Sequence, residues 1–126
     1  MAPNLSFSFN LRHCTLAHCG IGDAGAAAIA GALPASLNKF DIASNDISAL
    51  GLAEVAAALR VGQTPLLTHL DLSGNEIGAG GGAELAEALP VGTPLLENLD
   101  LRGCFLADPG LAWLAGASTR PLLNSA

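Results

Sequence analysis

Between Leu67 and Leu89 the chain changes its hydrophobic period. Leu67, Leu70 and Leu72 lie on one side of a short extended run, with Asn75 and Ile77 following, a spacing of LxxLxLxxNxI. Gly81, Leu85 and Leu89 then recur every four residues amid Ala and Glu, the apolar stripe of an amphipathic helix. The segment therefore predicts a strand, a corner turned at an Asn, and a helix.

The same pattern recurs. Counting each first Leu as position one, units begin at Leu11, Leu37, Leu67 and Leu96, with steps of 26, 30 and 29 residues. The second unit sets Phe40, Ile42, Asn45, Ile47, Gly51, Val55 and Leu59 at the offsets of the third; the first and fourth follow with Cys19 and Cys104 at the Asn position. One strand-helix unit cannot cover its own apolar face, so stacking of neighbours is required. Residues 11–117 are expected to form four units. Residues 1–10 alternate, Leu5, Phe7 and Phe9 against Ser6, Ser8 and Asn10, which reads as an N-terminal capping strand. The helices are expected over 20–33, 48–60 and 107–117, with Asp23, Ser48 and Asp108 as cap candidates and Trp113 in the packing of the last. Residues 118–126, which repeat the Pro-Leu-Leu of Pro65 and Pro94 at Pro121, read as the truncated start of a fifth unit or a tail, leaving that face open.

Units of this length with LxxLxLxxNxI, then Gly, then LAxAL, resemble the ribonuclease-inhibitor-like class of leucine-rich repeats; LDLSGNEIGAGGGAELAEAL, from Leu70 to Leu89, carries the match. The resemblance implies an α/β fold, a right-handed solenoid with a parallel sheet on the concave face and helices on the convex face. It also implies a protein-binding scaffold, as in ribonuclease inhibitor, innate immune receptors and ciliary subunits. Family precedent makes Asn45 and Asn75 structural ladder residues that bond backbone within the turn, with Cys19 and Cys104 as substitutes.

Composition narrows the chemistry. The mean hydropathy is +0.48, yet Gly and Pro interrupt every apolar stretch before it reaches a membrane span. No secretory signal is expected from MAPNLSFSFN, and three cysteines without an export signal suggest a reducing, cytoplasmic setting. A net charge of −6 with five Lys and Arg disfavours nucleic acid and anionic membranes.

Alternation along the strands puts three columns on the face away from the helices. These are His13, Lys39, His69 and Asn98; Thr15, Asp41, Asp71 and Asp100; and Ala17, Ala43, Ser73 and Arg102. They are the candidate protein-binding residues. The Asp column could attract a basic peptide or a cation, although Asp is ordinary at this place in such repeats. His13, Cys14, His18 and Cys19 look metal-like, but the register aims Cys14 and Cys19 inward and the imidazoles outward, so no tetrahedral site is expected. Gly78-Ala79-Gly80-Gly81-Gly82 lacks the ending of a phosphate loop and opens a repeat helix, where it reads as a flexible turn. No nucleophile-base-acid set appears, so neither catalytic residues nor cofactors are expected. The leading expectation is a non-enzymatic interaction module, an accessory subunit bound through the sheet face or the open end. The alternative is GTPase activation of the Ran-activator type.

Overall fold

The computed structural model describes residues 11–105. The expected capping strand, the helix carrying Asp108 and Trp113, and the tail lie outside the described residues.

Four strands alternate with three helices: β1 (His13–Thr15), α1 (Gly22–Ala30), β2 (Lys39–Asp41), α2 (Ala49–Arg60), β3 (His69–Asp71), α3 (Gly78–Gly92) and β4 (Asn98–Asp100). The strands form one parallel sheet in sequence order, and α2 packs between α1 and α3. The fold is an α/β solenoid of stacked strand-helix units, as the resemblance implied. Register is uniform: His13 pairs with Lys39, Lys39 with His69, and His69 with Asn98. That regularity follows from the side-chain period of two, since slipping one residue would turn Cys14, Phe40, Leu70 and Leu99 out of the core.

The core fills the space between sheet and helices. Leu37, Leu67 and Leu96 enter it ahead of each strand, Ile42, Leu72 and Leu101 follow, and Leu52, Val55, Leu59, Leu85 and Leu89 come down from the helices, none more than 5 % exposed. Beyond the three-residue strands the backbone ladder continues through the turns. Leu16, Ile42 and Leu72 donate to the carbonyls of Asp41, Asp71 and Asp100, and His18, Ser44 and Gly74 to those of Ala43, Ser73 and Arg102. Each turn has a left-handed residue at the equivalent position, with φ of 58° at His18, 54° at Ser44, 73° at Gly74 and 69° at Gly103, and three of the turns have another two residues on, at Gly20, Asp46 and Phe105.

Two local expectations are corrected. Asp23 does not cap its own helix, whose start at Ile21 carries no side-chain cap. It reaches the next unit instead. Its Oδ1 accepts from Ser48 N (2.7 Å) and Gly51 N (3.1 Å), and its Oδ2 from Ser48 Oγ (2.6 Å), so it supplements Ser48 at the start of α2. The Gly78–Gly82 run opens α3 as expected, but as its helical first turn rather than a flexible one. Packing forces small residues there: a Cβ on Gly81 would strike Ile77 Cγ2 and come within 2.9 Å of Leu52 Cδ2. At the equivalent Gly25 a Cβ would come within 2.8 Å of Ile21 Cβ, and at Gly51 within 3.0 Å of Ile47 Cγ2, so the recurrent Gly is where each helix meets its own turn.

Candidate protein-binding face

The three polar columns share one face because alternate strand residues point away from the core. In the first, His13 and Lys39 are exposed and His69 and Asn98 half-buried. The His69 ring stands against Thr68 Oγ1 at 2.9 Å. Lys39 forms no ion pair among the described residues.

The second column explains its own composition. Asp41 Oδ1 accepts from Ala43 N (3.0 Å), Asp71 Oδ1 from Ser73 N (3.0 Å) and Ser73 Oγ (2.7 Å), and Asp100 Oδ1 from Arg102 N (3.1 Å). Each carboxylate closes the turn two residues on, the local bonding that favours Asp at such places. Thr15 replaces it in the first unit and is exposed. Asp100 departs from the expected open face: it is 7 % exposed, because the Arg102 guanidinium folds over it with bonds from Nε and Nη2 to both oxygens. Those bonds hold the Asp100 carboxyl below, and the Arg102 guanidinium above, their ordinary ranges.

The third column is small, with Ala17 half-buried, Ala43 buried and Ser73 half-buried, and ends at exposed Arg102. It leaves a shallow floor beside the charged rows.

Behind the face the amide ladder stitches units together. Asn45 Oδ1 accepts from Cys19 N (2.8 Å), and Asn45 Nδ2 donates to Leu16 O (2.8 Å) and Ala43 O (3.1 Å). Asn75 repeats this one unit on, accepting from Asn45 N and Ile47 N and donating to Ile42 O and Leu72 O. Cys104 donates only Sγ to Leu72 O (3.1 Å), the same carbonyl of the preceding unit. Cys19 is exposed rather than inward, since no described unit precedes it, and its thiol reaches Ala17 O of its own turn. Burial, above all, raises the thiols of Cys14 and Cys104 above their ordinary pKa. All three cysteines are free, and no group of His, Cys, Asp and Glu among the described residues could hold a metal ion.

A second surface escaped the periodic pattern. Val61 (75 % exposed), Leu66 (46 %), Val91 (67 %) and Leu95 (48 %) stand where α2 and α3 hand over to the following strands. Their segments, VGQTPLL and VGTPLL, carry no charge. The signal available in sequence was the doubled Leu after each Pro: one Leu of each pair is core, and the other is left outside. The extra Gln63 in the first segment also has a purpose, donating Nε2 to the Ala30 and Leu33 carbonyls at the end of the short α1. It displaces Thr64, whose Oγ1 is buried without a partner, whereas Thr93 Oγ1 bonds Leu89 O (2.9 Å). Among the described residues no helix is long and apolar enough to cross a membrane.

A family model described as Leucine Rich repeat matches residues 7–30, 34–56 and 65–86, more than half the chain. Among solved structures, Leiomodin-1 Actin-Binding Site 2 superposes with a TM-score of 0.77 over 92 % of this chain and 70 % of that one, at 16 % sequence identity. No curated protein matches the sequence.

Proposed function

The chain belongs to the leucine-rich repeat family, and on that premise we propose that it is a non-enzymatic protein-interaction module that docks a partner on its sheet face. One observation carries the reading: His13, Lys39 and His69 project from neighbouring strands in exact-pair register, on a backbone pinned by the Asn45 and Asn75 amides. A preorganised row loses little conformational freedom on binding. The candidate residues are His13, Thr15, Lys39, Asp41, His69, Asp71, Ser73, Asn98 and Arg102, with Asp100 acting through Arg102.

The uncharged rim of Val61, Leu66, Val91 and Leu95 supports membership of a larger assembly, because exposed aliphatics grouped on one edge mark contact surfaces. The three free thiols suit a reducing, cytoplasmic compartment. The similar leiomodin segment is an actin-binding site, so actin is one partner to include in the test.

The test is isolation of the native complex from its source, with its mass measured, followed by site-specific photo-crosslinking from Thr15 on the sheet face and from Ala57 on the helical side. The expected result is a stoichiometric partner captured from Thr15 and not from Ala57. Capture from Ala57 alone would overturn the sheet-face reading, and a monomeric native mass would overturn the assembly.

A further inference from the structure

The polar groups of the sheet face fall into rows. The row His13, Lys39 and His69 runs across three paired strands, and the row Asp41, Asp71 and Asp100 runs parallel to it, two residues further along each strand. The rows are therefore about 6.7 Å apart, while members of one row are separated by about 4.8 Å, the spacing of hydrogen-bonded strands. Both rows cross the strands.

That direction selects the partner's shape. An extended segment repeats its side chains every 6.6–6.8 Å or so and falls out of step with a row of about 4.8 Å. A helix keeps one face by steps of three and four residues, about 5.3 Å on average, so across three strands it drifts by only about 1 Å from the row. The small column of Ala17, Ala43 and Ser73 lies on the far side of the acidic row and leaves Asp41 and Asp71 open to an arriving Lys or Arg. Lys39, at the centre of the first row, forms no ion pair among the described residues, and Asp41 and Asp71 each commit only Oδ1 to their turns.

We propose that the sheet face receives a partner α-helix laid across the strands, with carboxylates along its His13–Lys39–His69 side and Lys or Arg side chains along its Asp41–Asp71 side. The proposal deepens the sheet-face reading and rests on it. Lys39 on one row and Asp41 and Asp71 on the other give such a helix one preferred roll, since the reverse roll sets a Lys or Arg against Lys39 and carboxylates against both Asp side chains.

The experiment uses the full chain and three synthetic Ala-based helices: one with a Glu line beside a Lys line, one of the same composition with the signs scrambled over all faces, and one with Gln at every charged place. Fluorescence anisotropy at low salt is expected to show the two-line helix binding about tenfold tighter than either control. Lys39→Glu should weaken it about tenfold. Asp71→Asn, whose amide oxygen can still close the turn, should weaken it about threefold, and Glu54→Lys on the helical side should change nothing. Ser73→Arg fills the column beside Asp71, where Arg102 already stands over Asp100 in the fourth unit, and should abolish binding; circular dichroism checks that the fold is kept.

If all three helices bind alike and Ser73→Arg abolishes each, the charge order is wrong while the face remains a binding surface. If binding ignores both Lys39→Glu and Ser73→Arg, the face itself is the wrong site. Failure of the two-line helix to bind overturns the proposal outright, and crosslinking from Thr15 then decides the face separately.

Discussion

Asn75 shows how one side chain can set the joint between two units. Fully buried, its amide satisfies two backbone N–H groups and three carbonyls spread over residues 42–73. Asn75→Ala strands several of these, at about 1–3 kcal/mol for each buried group, so a loss of roughly 3 kcal/mol is expected in urea unfolding. Cys104→Ala removes one thiol bond and a small volume, and should cost about 1 kcal/mol. Equal losses would mean that the amide bonds matter no more than packing. Glycine offers a second contrast within one helix type. Gly51→Ala would drive Cβ into Asp23 Oδ1 and within 2.9 Å of its Cα, against backbone that cannot yield. Gly80→Ala meets nothing within 4 Å and gains helix propensity. The first should destabilise, and the second should stabilise by about 0.5–1 kcal/mol, both read from thermal midpoints.

At the scale of elements, the cap of α2 is borrowed from α1. Three donors from Ser48 and Gly51 hold the Asp23 carboxyl below its ordinary value of 3.8, and the Arg102 bonds do the same for Asp100. A carboxyl with a depressed folded-state pKa contributes stability that is complete above its unfolded value and disappears as pH falls through the folded value. Unfolding free energy should therefore be flat near neutrality and decline below about pH 4. In Asp23→Asn the neutral amide cannot titrate, so the acid decline should become shallower; an unchanged slope would leave Asp23 without a part in it. Gln63 joins elements in the same way, and Gln63→Ala should cost about 1–2 kcal/mol by releasing the carbonyls at the end of α1.

For the whole molecule, contacts run between adjacent units, α1 with α2 and α2 with α3, and each strand only with its neighbours. Such an array stores its stability in interfaces, so a unit covered on both sides opens last. Amide exchange should be slowest at Phe40 and Leu70 and faster at Cys14. Slowest exchange at β1 would place the most stable interface elsewhere.

The sequence by itself determined the repeat. Strand residues such as Leu70, helix stripes such as Leu85 and Leu89, and the Asn turn are local patterns of period two and near four, and local geometry dictates them. It also determined which columns share the sheet face, because side-chain alternation needs no neighbour to be read. Only the tertiary structure decided where those side chains spend their bonds. Asp23 lies in one unit and caps another, 25 residues away at Ser48; Arg102 covers Asp100; Gln63 serves α1 while leaving Thr64 without a partner. The rim of Val61, Leu66, Val91 and Leu95 was equally hidden, since an apolar residue in sequence announces burial and only the packed core shows which ones it has no room to take.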